Sequence, residues 1–437
     1  MTDRYLEWVN TSLGRVVSRR LGLPQPVLLP RNHQACAEHD AYEHRGRHYV
    51  IVSLPNGRLQ SALEQALQQG LLYSPAPLHG LAIDATGLLA VDDLVRLQQQ
   101  LPALAARLRV GGKVLLIAQH PTLGATAQEV ALIGALKGFI RSWAKELGKR
   151  GVTANLLLLQ EQVDLAPALA FLLTDRSAYV SGQVVEWQSP VGDAEVTLAG
   201  KMAVVTGAAR GIGAAVVRRL ALERMHVVCV DVPNAHDALR ALALEVGGTA
   251  LPLDITSETA PAILLDVVRP LGGIATLVHN AGITRDRSLY RMRTQEWQSV
   301  MDVNLQAVLQ IDQALDAAQA WQPNAREICL ASINGIAGSA GQTNYAASKA
   351  ALIGYVQARA QQKPKVLGSV SAVAPGFIET LMTAKMPLLL RQLGRRANSL
   401  SQGGQPEDVA EAIAFLARSH GANGQTLRVC GQSWVGA

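Results

Sequence analysis

Aromatic residues are scarce: Phe, Trp and Tyr make up only 4% of a chain that is 49% hydrophobic. That balance argues against an aromatic-rich β-sandwich and for Ala-, Val- and Leu-rich helices packed on parallel strands. Cysteine is nearly absent as well. Cys36, Cys229, Cys329 and Cys430 are far apart and form no C-x-x-C pair, which excludes a zinc knuckle and a disulfide framework and fits buried, reduced thiols. The net charge is +6, yet no run of Lys and Arg resembles a nucleic-acid arm, so no nucleic-acid partner is expected. The N-terminal MTDRYLEWVN lacks the apolar centre of a signal peptide, and no charge-free stretch is long enough to span a bilayer. A cytoplasmic protein with no membrane span is expected, and no metal site.

What is present is α/β arithmetic, repeated. With 437 residues the chain exceeds what one core usually serves. Apolar runs at Val27-Leu29, Tyr49-Leu54, Leu81-Ile83, Val114-Ala118 and Asn155-Leu159 alternate with helical patterns such as Ala127-Leu147. A new series opens with the strand-like Met202-Thr206, so a boundary is expected near Pro190-Leu198, giving domains 1–197 and 198–437. The expected fold class is α/β, with two Rossmann-like, doubly wound parallel-sheet domains. Gly138-Phe139 can be laid on Gly354-Tyr355 and Ala168-Gln183 on Glu411-Gln425, which suggests an internal duplication. The first half then reads as a degenerate, flavodoxin-like copy; an unrelated flavodoxin-like fold with chance similarity is the alternative.

In the second half, Thr206-Gly207-Ala208-Ala209-Arg210-Gly211-Ile212-Gly213 follows a strand and precedes the helical pattern Ala214-Leu222. Gly207 permits a tight turn, Gly211 lets backbone approach a pyrophosphate, and Gly213 allows close helix packing. Free N–H groups at the helix N-terminus favour the anion. The next strand, Val227-Val230, ends in Asp231, placed to accept from both ribose hydroxyls and to repel a 2′-phosphate, which favours NAD(H). Arg210 can receive that phosphate, so NADP(H) stays open. Asp254 reads equally as an acceptor for the adenine amino group and as a helix N-cap.

Asn280-Ala281-Gly282, Asn304, Ser332, Tyr345 and Lys349 follow. Each alone has an ordinary reading as a turn, helix or surface residue. Together they supply what carbonyl reduction needs, because hydride delivery leaves an alkoxide that must be protonated as it forms. Tyr345 is the candidate acid, and Lys349, one turn on, supplies an ammonium that, with a positive nicotinamide ring, would lower the phenol from about 10 toward neutral pH. Ser332 would hold the substrate oxygen, and Asn304 would anchor a water feeding protons through Lys349. On the alignment of the halves Gly112-Gln119 falls on Ala325-Ser332, Glu129 on Tyr345 and Ile133 on Lys349, so the first half carries no such set.

Through T-G-x-x-x-G-I-G, N-A-G, Ser332 and Y-x-x-x-K, in that order, the stretch Gly200 to Ala437 resembles the short-chain dehydrogenase/reductase superfamily. Asn280-Asp286, Gly341-Lys349, Val373-Thr380 and Gly404-Ala417 are most similar to 3-oxoacyl-(acyl-carrier-protein) reductases. The whole chain resembles their high-molecular-weight branch, with an inactive N-terminal domain and a usual preference for NADH. The resemblance implies that Pro375, Gly376, Ile378 and Thr380 meet the nicotinamide and that the Thr380-Arg396 region covers the substrate. It implies an oxidoreductase of lipid metabolism and fatty acid biosynthesis, acting on an acyl thioester carried by acyl carrier protein or CoA. Arg285, Arg287, Arg395 and Arg396 are candidates to bind an acidic carrier or phosphates, with a solvated face as the alternative for each. A homodimer is expected, since two such folds in one chain would imitate half a tetramer. His279 stands where the first of two paired asparagines is usual, Cys430-Gly431-Gln432 replaces Asn/Asp-Gly-Gly, and Ser369-Val370-Ser371-Ala372 lacks an expected asparagine. Alternative readings are a 3-hydroxyacyl-CoA dehydrogenase, a steroid or other ketone reductase, and a dinucleotide-sensing scaffold.

Overall fold

Runs rich in Val, Ile and Leu and hydrophobic on both faces form strands buried from both sides, with helices between them. In the computed structural model, which describes residues 3–31, 44, 46–67, 77–160, 164–188, 197–384 and 386–435, they build two separate sheets. The first contains β1 (Tyr49–Ser53), β2 (Leu78–Asp84), β3 (Leu108–Gln119), β4 (Thr153–Leu159) and β5 (Val184–Trp187), in the order β1-β2-β3-β4-β5. Each strand runs parallel to its neighbour. Leu81, Ile83, Leu116, Ile140 and Leu156 lie in its core.

The second sheet contains β6 (Met202–Thr206), β7 (His226–Asp231), β8 (Thr249–Pro252), β9 (Ile274–His279), β10 (Trp321–Leu330), β11 (Leu367–Pro375) and β12 (Thr426–Val429). Its order is β12-β11-β10-β9-β6-β7-β8. The chain winds outward from β6 to β8, then returns to the other side of β6 at β9, with β8 through β11 joined by parallel pairing. That reversal opens a crevice at the carboxyl ends of β6 and β9. Val204, Val228, Leu277, Val356 and Val370 fill the core.

The α/β class expected from the sequence is therefore present twice, but only the second sheet has a reversal. Between β1 and β2 the chain has one described helix, Gln60–Ala66, whereas between β6 and β9 it has two further strands. Val27-Leu29, expected as a strand, is extended chain outside any sheet; Val27 O is engaged instead by Gln402 Nε2 at 2.8 Å.

The described chain divides into two compact units, and they are interleaved in sequence. The first comprises Met1–Gly192 together with Met382–Gly404 and Val429–Trp434; the second comprises Asp193–Leu381 with Gln405–Arg428 and Val435–Ala437. A single cut at 197/198 does not separate them, because two later stretches return to the first unit. There Tyr179 donates to Gln402 O at 2.8 Å, Asn398 donates to the Tyr179 hydroxyl at 3.2 Å, and Gln432 donates to Arg141 O at 2.6 Å. The expected linker lies almost wholly at 189–196, outside the described residues, as does Cys36. Among the described residues, no helix is long and apolar enough to cross a membrane.

Candidate active site

The glycine turn follows β6. Gly207 has φ +65°, and a Cβ there would lie 2.8 Å from Ala281 Cα, so this turn needs the absence of a side chain. A Cβ on Gly213 would lie 2.0 Å from Gly207 O, so the helix Gly211–Leu222 sits directly on the turn. Arg210 is its N-cap and is exposed; Ile212 is half-buried in the first turn. A Cβ on Gly211 would meet only Thr380, at 3.8 Å, so a cradle is left between helix N-terminus and the chain after β11.

The loop is held from the neighbouring strand. Asn280 Nδ2 donates to Thr206 O and Gly207 O, both at 2.9 Å, and the Asn280 and Ala281 N–H groups donate to Thr206 Oγ1 at 3.1 Å. The side chain of Asn280 thus shapes the glycine turn. Asp231, at the end of β7, accepts from Ala209 N at 2.8 Å and from Val232 N at 2.8 Å, one bond to each oxygen, so both oxygens keep acceptor capacity. Asp254 is exposed and accepts from Thr256 N and Oγ1; the following helix is N-capped by Thr259, so Asp254 caps a turn rather than a helix. Free N–H groups, a side-chain-free approach and an acidic strand end together fit a dinucleotide.

The other set lies at the same sheet edge. Ser332 N-caps the short helix Ile333–Ala337, its Oγ accepting from Asn334 N at 3.2 Å, and its hydroxyl is near enough to the Tyr345 phenol to pull it down. Tyr345 is in the first turn of the helix Thr343–Gln362; Lys349 follows one turn later, its Nζ 5.8 Å from the Tyr345 ring centroid. Lys349 is buried and donates to Leu330 O at 2.7 Å. Gly282 makes room for it: a Cβ there would lie 3.2 Å from Lys349 Nζ and 3.4 Å from Asn304 Oδ1. Asn304 sits in a π-turn, Asp302–Gln306, a distortion that tends to mark functional sites. Its amide accepts from Ile283 N at 2.8 Å and donates to Ile283 O and Ser348 Oγ, so the side chain is spent on positioning. Pro375 ends β11; Gly376 and Ile378 lead to Thr380, facing Gly211.

The chain's own groups, taken without a nicotinamide ring, hold the phenol up. Burial raises the Tyr345 phenol above its ordinary value, against the hydrogen bond from Ser332, and the nearby Asp286 adds to the rise. Burial also lowers Lys349, to about 8. The chain alone therefore keeps the phenol protonated at neutral pH, where a lysine near 8 still carries most of its charge.

In the first unit Glu129 and Ile133 have other tasks. Glu129 forms a capping box with Thr126 on the helix Ala127–Gly148, and Ile133 is buried in the core. Of the four arginines proposed for a carrier, Arg395 is buried 3.9 Å from Asp3, and Arg396 donates to both Asp3 oxygens at 2.7 and 3.0 Å and covers the Tyr5 ring. Arg285 is exposed, and Arg287 is half-exposed beside Glu296 at 3.3 Å. The carboxylate of Asp3 thus takes two of the four out of play for an external anion.

A reversing parallel sheet with a glycine turn at the crevice and a Ser-Tyr-Lys set beside it defines the class of dinucleotide-linked α/β oxidoreductases. The family model described as enoyl-(acyl carrier protein) reductase matches residues 207–431. The chain belongs to the short-chain dehydrogenase/reductase family. It is 36% identical over 243 residues to the 3-oxoacyl-[acyl-carrier-protein] reductase FabG of Vibrio cholerae, covering 55% of this chain and 100% of that one. It is 38% identical over 240 residues to FabG of Thermotoga maritima, covering 54% of this chain and 98% of that one. Among solved structures, a short-chain dehydrogenase/reductase described as a glucose/ribitol dehydrogenase, from Brucella melitensis, matches with a TM-score of 0.51 at 25% identity. That match covers 55% of this chain and 98% of that one.

Proposed function

We propose that the second unit reduces 3-oxoacyl thioesters, linked to acyl carrier protein or CoA, to 3-hydroxyacyl thioesters, with NADH preferred over NADPH. The observation that carries the reading is that Ser332, Tyr345 and Lys349 stand together beside the glycine turn, with Lys349 Nζ 5.8 Å from the Tyr345 ring and Ser332 acting on the Tyr345 phenol. A bound nicotinamide supplies the hydride. Ser332 holds the substrate carbonyl oxygen, and Tyr345 gives its phenolic proton to that oxygen as the C–O bond becomes an alkoxide. The protonated phenol suits this direction. Lys349, held by Leu330 O, passes a proton back to the phenolate, and Asn304 fixes the segment Ile283 beside it. Asp231 selects the ribose with free hydroxyls; Arg210, exposed at the helix N-cap, is the group through which NADPH is tolerated. Asp254 accepts from the adenine amino group, and Pro375, Gly376, Ile378 and Thr380 line the nicotinamide side.

The relatives named for 3-oxoacyl reduction support the thioester substrate, and Arg285 and Arg287 are the exposed cations for an acidic carrier. The first unit serves as a structural partner rather than a second active site, and the chain works as a homodimer. Sedimentation giving a monomer or a chain-level tetramer would overturn the dimer.

The test is the initial rate of NADH and NADPH oxidation with acetoacetyl-CoA, with crotonoyl-CoA as the enoyl control, for the parent and Tyr345→Phe. Turnover of acetoacetyl-CoA with NADH that the variant loses while still binding NADH supports the reading. Dinucleotide binding without oxidation of either cofactor overturns the thioester substrate.

A further inference from the structure

Behind the site, the second unit buries a polar centre that the reaction does not use directly. His279, the residue before Asn280, places Nε2 2.9 Å from Asp312 Oδ1. Tyr355 donates to Asp312 Oδ2 at 2.7 Å. Arg359 donates through Nε to Glu327 Oε2 at 2.5 Å and through its terminal nitrogens to both Asp316 oxygens, at 2.8 and 3.0 Å. Trp321 Nε1 donates to Asp316 Oδ1. Ligand atoms of His279, Asp312 and Glu327 all lie within 4.8 Å of one another, and the three residues are buried. Glu327 is 0% exposed, and its Oε1 receives no hydrogen bond among the described residues.

Two carboxylates this close and this dry do not both stay ionised without a cation between them. Arg359 is one such cation, 2.5 Å from Glu327 and 3.9 Å from Asp312, but it also serves Asp316, so three carboxylates share one arginine and a further positive charge, a metal ion or a proton, is called for. Two ligands bound at about 2.0–2.1 Å in tetrahedral geometry stand roughly 3.3 Å apart, farther than the 2.9 Å between His279 and Asp312. Arg359 also brings its positive charge directly onto Glu327, which opposes a proton there but repels a divalent metal ion more strongly. Both facts favour the proton.

We propose that Glu327 is a neutral carboxylic acid donating to Asp312, and that the His279–Asp312–Glu327 centre is a positioning device for the active site. It has the connections for that task. His279 precedes Asn280, which holds the glycine turn, while Tyr355 and Arg359 share a helix with Tyr345 and Lys349. The proton fastens β10 to Asp312 on the helix Ala307–Ala317, and Asp312 in turn holds His279 at the end of β9 and Tyr355 on the Tyr345 helix. The charged and titratable groups facing it are His279 from β9, Glu327 and Cys329 from β10, and Asp312 and Asp316 from the helix Ala307–Ala317. Lys349, Tyr355 and Arg359 face it from the helix Thr343–Gln362. Burial, then the Asp312 charge, pushes the Glu327 carboxyl well up against the pull of Arg359. Burial would also raise Asp312, but His279 and Arg359 overcome it and hold that carboxyl down.

The experiment is infrared spectroscopy of the full-length protein near neutral pH, parent against Glu327→Gln, with elemental analysis for metals. A protonated-carboxyl C=O stretch in the parent that is missing from the variant is expected; its absence from the parent, or a stoichiometric bound metal, overturns the proposal. A raised carboxyl stabilises the fold fully below its ordinary value of 4.5 and loses that contribution as pH rises. The Tm of Glu327→Gln should therefore gain on the parent as pH rises above the carboxyl's ordinary value of 4.5, and a constant gap counts against the shared proton. For positioning, Glu327→Ala should lower kcat about tenfold with KM changed less than about twofold, and Glu327→Gln should restore most of it. Equal kcat in all three proteins refutes the positioning role. The infrared arm needs no substrate, so its failure is distinct from failure of the thioester reading.

Discussion

The two sheets share a run of parallel strands and part company at their carboxyl edge. In the second, β6 and β9 flank the reversal and the edge stays open, with Gly211 bare and Asn280 tying only the base of the turn. In the first, β1 and β2 are consecutive neighbours and the same edge is shut. Asp84 is buried at the end of β2 and accepts from Leu59 N at 2.7 Å and from Thr86 N at 3.0 Å. A Cβ on Gly57 would lie 2.6 Å from Asp84 Oδ2, and one on Gly87 2.3 Å from Pro55 O. A binding crevice is therefore a property of winding order: remove the excursion that carries β7 and β8, and the loops close over the strand ends.

This contrast can be broken or sharpened in steps of decreasing size. Tyr345→Phe should lower turnover by about 10² to 10⁴-fold with NADH affinity retained, while Glu129→Tyr with Ile133→Lys should create no activity, measured by steady-state kinetics. Gly213→Val should cost about 1–3 kcal/mol or more and abolish NADH binding, seen by calorimetry; Gly87→Ala should destabilise the protein and leave NADH affinity intact. Lys349 sits at about 8 instead of 10.5, so the fold favours its neutral form; that stability is present above 10.5 and lost as pH falls to about 8. Lys349→Met should then raise the Tm at neutral pH, by relief of up to roughly 3 kcal/mol less the lost bond to Leu330 O, and the gain should vanish above about pH 10.5. Asp231→Ala should move the NADH-to-NADPH preference by about 10- to 100-fold toward NADPH, read as a ratio of kcat/KM. Smallest, Thr126→Ala should cost about 1 kcal/mol in chemical denaturation without touching turnover.

Much of the second unit was legible because its signals are local. Glycines in a fixed spacing after an apolar run, an acidic strand end, and a tyrosine and lysine one turn apart each carry their geometry with them. What stayed hidden depends on distant partners. Val27-Leu29 has the composition of a strand, but its carbonyl is taken by Gln402, 375 residues later. Arg395 and Arg396 look like solvent cations until Asp3 arrives from the other end of the chain. The phenol of Tyr345 was expected to be lowered by Lys349 together with a positive nicotinamide ring; burial, invisible in spacing, raises the phenol and lowers the lysine in the chain by itself. His279 was noticed as a departure, but Asp312, Glu327, Tyr355 and Arg359 were not, since nothing in a sequence says that three helical and two strand positions converge. The missing reversal of the first sheet had one readable trace, the short stretch between β1 and β2.

The interleaving of the two units bears on how the chain is made. Tyr179 and Arg141 receive their partners from Asn398 and Gln432, so an earlier part of the chain is finished by a later one. During translation the first unit leaves the ribosome with those contacts unmade and waits through more than half the chain for them. A truncation that removes Gln432 would then injure the first unit, nearly three hundred residues before the lesion.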